Sequence, residues 1–164
     1  MYYSKGAKNG ARGVTAVEVA IGVSIAALVL IFTTNVIMLF VNANRTVGEK
    51  TKALYLNEDG IELLRYLRDG SWSTLGGLSE NTTYYLSVTP SSVNVTSVPQ
   101  TVDEYTRSFR ISNVYRSNTT DDIVASTTGG AVADTSSKYI TMTTTGGTPT
   151  STISLMTILT EIDP

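Results

Sequence analysis

The sequence predicts an α+β fold: a long N-terminal α-helix, transmembrane in its first half, packed through its amphipathic second half on an antiparallel β-sheet. Three observations carry this. From Val19 to Val41 there is no charged residue. From Glu49 to Asp69 apolar residues recur at helical spacing. After Trp72 the composition changes to Ser, Thr, Gly and Asn, with β-branched and aromatic residues in short runs. A chain of 164 residues accommodates one modest domain plus an extended element.

The uncharged run reads VAIGVSIAALVLIFTTNVIMLFV. As a helix its roughly 23 residues span about 35 Å, enough to cross a hydrocarbon core of about 30 Å. It is interrupted only by Gly22, Ser24, Thr33, Thr34 and Asn35. A helix of a soluble domain is rarely apolar all round over such a length. Lys5, Lys8 and Arg12 precede it with no acid among them, so the positive-inside rule keeps residues 1–13 cytoplasmic and sends the rest outward. Without those three bases, nine basic side chains face 14 acidic ones, a charge of about −5.

The helical pattern continues beyond the apolar run. Ala53, Leu54, Ile61, Leu64 and Leu67 form a stripe, widened by Leu56 and Leu63. Glu58, Glu62, Arg65 and Asp69 lie mostly away from it, with Glu62–Arg65 and Arg65–Asp69 at pairing distance. Gly60 marks either a close-packing point or a bend, and Gly70 a C-terminal cap. No Pro precedes Pro90, so one helix results, with softening expected at Gly22, Thr33–Asn35 or Gly48.

The strands expected beyond it are Thr83–Val88, Ser92–Ser97, Tyr105–Tyr115, Ile123–Ala125, Lys138–Thr145 and Thr152–Ile162. Partial alternation in Tyr139–Thr143 and Ile153–Ile158 indicates a sheet with one wet face. Turns fall at Thr89–Pro90, Gly129–Gly130 and Gly146–Gly147 with Pro149. Trp72 is expected to pack where helix meets sheet.

Composition excludes several chemistries. With no Cys there are no disulfides and no thiolate metal site, and with no His there is no Ser-His-Asp triad. A net charge of −2 gives no electrostatic case for nucleic acid. Asp121, Asp122, Asp134 and Asp163 offer oxygens of the kind calcium prefers, but without regular ligand spacing they read as solvated turn residues. Asn44, Asn81, Asn94 and Asn118 open Asn-x-Ser/Thr triplets, which arise readily by chance in a Thr-rich chain. No enzyme activity, cofactor or metal is expected.

The most informative stretch is Arg12-Gly13-Val14-Thr15-Ala16-Val17-Glu18, running directly into the apolar segment. An acid within a membrane helix costs at least about 2.5 kcal/mol near the bilayer centre and less near an interface. Glycine, four uncharged residues and Glu, behind a basic leader, resemble the prepilin processing signal of type IV pilins and pseudopilins. The segment from Leu54 to Asp69, followed by Trp72, is also similar to prepilin-type proteins. The resemblance implies a pilin-like fold and cleavage between Gly13 and Val14 by a membrane prepilin peptidase. It implies N-methylation of Val14, and an assembly role for Glu18 facing the N-terminal ammonium of a neighbouring subunit. The chain departs from the family in having Val14 where Phe is usual, and in lacking a Pro within the apolar helix.

The resemblance therefore implies a leader over 1–13, a transmembrane and filament-core helix over 14–43, its amphipathic continuation over 44–70, and a β-rich extracytoplasmic head over 71–164. The function implied is structural: a homo-oligomeric helical filament, served by an assembly ATPase and platform protein. The precursor would reside in the cytoplasmic (inner) membrane before joining an extracellular filament. The alternative is a single-pass, membrane-anchored extracytoplasmic β domain with a binding role that does not polymerise.

Overall fold

A computed structural model describes residues 14–162. The chain divides into two compact units between Ala43 and Asn44. Helix α1 spans Ala16–Gly70 and contributes to both. Its helical assignment is unbroken through Gly22, Thr33–Asn35 and Gly48, so none of the expected soft points interrupts it.

Gly70 is the last residue of α1 but not a left-handed cap. It has no positive φ, and Trp72 is also right-handed, at φ −56° and ψ −37°. The chain instead turns directly into a one-turn helix, α2 (Ser73–Gly76), which buries Leu75. This short helix was not expected from the sequence.

The second unit carries β1 (Thr83–Thr89), β2 (Ser92–Thr96), β3 (Thr101–Val102), β4 (Tyr105–Ser117), β5 (Ile123–Val124), β6 (Ala131–Gly146) and β7 (Ser151–Thr160). All pairings are antiparallel, in the order β2-β1-β4-β6-β7, with β3 and β5 also on β4. The fold class is thus α+β. All six expected strands form. β6 begins at Ala131 rather than Lys138, and the two-residue β3 was not expected. β4 and β6 stay in register from Tyr105↔Gly146 to Asn113↔Lys138, after which Val114 faces Asp134. Residues 135–137 are therefore surplus on β6, a bulge that bends the strand.

The alternation expected for a half-wet sheet is clear in β4. Tyr105, Arg107, Phe109 and Ile111 are buried while Thr106, Ser108 and Arg110 are not. The core joins Ile61, Leu64, Leu75, Leu86, Phe109, Ile111, Ile140, Met142 and Leu159. Burying a side chain such as Leu64 stabilises the unit by about 1.5–3 kcal/mol. Trp72 packs against this core, and its Nε1 donates to the Thr135 carbonyl at 3.3 Å.

The helix face that meets the sheet differs in part from the expected stripe. Ala53, Ile61 and Leu64 are buried, but Leu54 is 39% exposed, and Asn57 and Gly60 take buried places. Asn57 fits because both ends of its amide are satisfied. Thr144 Oγ1 donates to Asn57 Oδ1 at 2.8 Å, and Asn57 Nδ2 donates to the Ile153 carbonyl at 2.9 Å. Gly60 is a close-packing point: a Cβ there would lie 2.8 Å from Met142 Cε and 2.9 Å from Arg107 Cδ.

Candidate functional site

The N-terminal part of α1 combines an apolar surface with an acid at its head. Val14 and Thr15 precede the helix, and Glu18 lies in its first turn. The Glu18 amide donates to the Thr15 carbonyl at 3.0 Å and to Thr15 Oγ1 at 3.3 Å. Thr15 is therefore the N-cap, answering one of the amides that the first turn leaves without an intrahelical acceptor. Thr-x-x-Glu is the spacing of a capping box, and an acid in the first turn also complements the positive end of the helix dipole. The sequence reading of Glu18 passed over Thr15. The signal was present, since Thr15 and Glu18 stand three apart immediately before an apolar run.

Beyond the first turn, every large apolar side chain from Val17 to Phe40 is half exposed or more. The span is long and apolar enough to cross a membrane, and no described residue covers it. At about 1.5–3 kcal/mol for each side chain left in water, so much apolar surface demands an apolar surrounding. Hydroxyls within the span are compatible with one. Ser24, Thr33 and Thr34 donate to the carbonyls of Ala20, Val29 and Leu30, each at 2.8 Å. These bonds keep the hydroxyls satisfied where no water is available.

Of the residues singled out in the sequence, Gly13 and the whole leader lie outside the described residues. Val14 lies just before the helix and Glu18 in its first turn, both exposed. This end of the helix offers one carboxylate and one hydroxyl. The expected role of Glu18 is electrostatic pairing, not bond-making.

Within the second unit, polar side chains hold α1 to the sheet. Buried Tyr105 donates its hydroxyl to Glu49, while Lys52 sits 5.1 Å from the Tyr105 ring and 3.3 Å from Asp103. The hydrogen bond to Glu49, with burial, pushes the Tyr105 phenol up to about 12. Buried Arg107 reaches Asp59 and donates to the Leu56 carbonyl at 3.1 Å. On the far part of the sheet, Arg116 Nε donates to Asp134 at 2.7 Å and holds that carboxyl below its ordinary range. Asp134 is thus engaged by a cation of the chain itself. Among the described residues no three His, Cys, Asp or Glu side chains cluster as metal ligands. No family model, curated protein or solved structure matches the chain.

Proposed function

We propose that this protein is a structural subunit of a type IV pilus or related filament, processed by a prepilin peptidase and assembled through its N-terminal helix. One observation carries the reading. A helix apolar on every side and uncovered over its whole first part begins with an exposed carboxylate, five residues after a glycine that follows a basic leader. Membrane residence alone accounts for the apolar surface but not for the acid. In a bundle of such helices, an ammonium at Val14 of one subunit and the Glu18 carboxylate of another offset each other's desolvation. Small residues Gly22, Ser24, Ala26 and Ala27 allow close helix approach. The peptidase, the ATPase and the platform protein enter through the resemblance. The exposed apolar N-terminal part of α1 and the separately cored second unit support this arrangement, with the apolar helix inside the filament and the sheet outside.

The Thr15–Glu18 cap favours a second reading, in which the acid merely starts the helix of a plain membrane anchor. Glu18→Gln separates the two, because Gln also serves at that capping position but carries no charge. If Glu18 sets register by charge, the variant is processed normally and forms no filaments. Assembly of Glu18→Gln at the wild-type level would refute the charge pairing. The identity of the polymer is tested by N-terminal sequencing and intact mass of filaments sheared from the producing cells. A chain beginning at Val14, with or without one methyl group, supports the proposal. A chain retaining Met1, or one released as soluble protein, overturns it.

A further inference from the structure

In the second unit, three side chains from three parts of the sequence meet in a line. Lys138 on β6 and Asn113 on β4 are directly opposed partners in the ladder, at the last pair before the bulge. Lys138 Nζ lies 2.5 Å from Asn113 Oδ1, and Asn113 Nδ2 donates to Glu80 Oε1. The donors and acceptors fix the amide orientation, since an ammonium only donates and a carboxylate only accepts. Glu80 belongs to the turn before β1. That turn is tied down where Asn81, at φ 57°, donates its amide to the Ile111 carbonyl at 2.9 Å.

Lys138 differs from the other buried cation. Arg107 engages a carboxylate, as does the partly exposed Arg116, but Lys138, only 9% exposed, meets a carboxamide. Among the described residues its Nζ has no carboxylate within ion-pairing distance. A buried lysine nitrogen on the oxygen of an amide, with a carboxylate on that amide's nitrogen, brings together the parts of an acyl transfer: nucleophile, electrophile and proton relay.

We propose that Lys138 and Asn113 join in an intramolecular isopeptide bond, with Glu80 as the proton relay. Lys138 Nζ attacks Asn113 Cγ to give a tetrahedral centre. The Glu80 carboxylate, already on Nδ2, takes up the proton that Nζ gives up and hands it to the departing nitrogen. The Cγ–Nδ2 bond breaks, an Nζ–Cγ amide remains and one ammonia is released. No electrons are exchanged and no co-reactant is required. The product ties the two longest strands, β4 and β6, across their ladder and closes the segment that contains β5. In a chain without cysteine it supplies the covalent tie that a disulfide supplies elsewhere. This inference concerns the second unit alone and stands whether or not the chain polymerises.

The test is mass spectrometry of the full-length protein extracted from its membranes in detergent. Trypsin should yield a branched product joining residues 111–116 to a chain left uncut after Lys138, with one ammonia fewer than the two separate parts. Lys138→Arg should abolish it. Glu80→Gln, at an exposed position, should reduce it at least tenfold in a protein with an unchanged far-ultraviolet circular dichroism spectrum. Two unlinked peptides in the wild-type digest overturn the proposal. So does an ammonia loss that survives in Lys138→Arg, which would mark asparagine cyclisation instead. Full linkage in Glu80→Gln would remove Glu80 from its assigned role.

Discussion

Replacing Asn57 by Ala tests how the helix is held to the sheet. Asn57 and Thr144 are fully buried, and the two bonds of the amide run to Thr144 and to the Ile153 carbonyl. The substitution leaves the Thr144 hydroxyl buried without its acceptor, at about 1–3 kcal/mol, and removes a second bond worth about 0.5–1.5 kcal/mol. The expected loss is therefore about 1.5–4.5 kcal/mol. The protein has a single tryptophan, and Trp72 packs against the core of the second unit, so its fluorescence reports that unit during urea unfolding in detergent. Adding Thr144→Val removes the stranded hydroxyl and should restore roughly 1 kcal/mol or more, the sign of coupling between contacting residues. A loss under about 0.5 kcal/mol for Asn57→Ala, or strict additivity of the two substitutions, would refute the account.

Gly60→Val should destabilise by about 1–3 kcal/mol through overpacking against Met142 and Arg107, read by the same Trp72 transition. Gly60→Ala should cost less, because a gain of about 1 kcal/mol in helix propensity opposes a clash with two side-chain ends. Tyr105 keeps its proton up to about 12 when folded, against an ordinary value of 10.0. Its contribution is therefore complete below about pH 10 and lost as pH rises to about 12, a slope that Tyr105→Phe should abolish in alkaline titrations of stability. Asp134 is displaced the other way by Arg116, so its contribution is present above the ordinary carboxylate range and lost as pH falls through the lowered folded value. Asp134→Asn should flatten that acid limb.

Much of the fold was legible because it rests on composition and period. An uncharged run of this length has few alternatives to a membrane-compatible helix. The strands of the second unit announce themselves by β-branched runs between turn residues, and all six expected ones form. The misses have physical reasons. Leu54 belongs to the apolar pattern, but the contact with the sheet runs through Ala53, Asn57, Gly60, Ile61 and Leu64. A polarity pattern places Asn57 outside such a face, and only partners 87 and 96 residues away make its burial affordable. β3 was too short for any pattern, and the early start of β6 is hidden by the bulge that interrupts its register.

The same reasoning separates the two candidate chemistries of this chain. Gly13, Val14 and Glu18 are close in sequence, so their resemblance to a prepilin processing signal, behind a basic leader and before an apolar run, was legible there, and Thr15 could have been read beside them. Glu80, Asn113 and Lys138 are ordinary polar residues of turn and strand when read along the chain. Their meaning arises from β4 and β6 pairing in register and from a turn at Asn81 pinned to Ile111. A lysine in a strand is ordinarily expected at the solvent face. A lysine that is buried, opposed to an asparagine and without a carboxylate among the described residues can be recognised only after the sheet has been built.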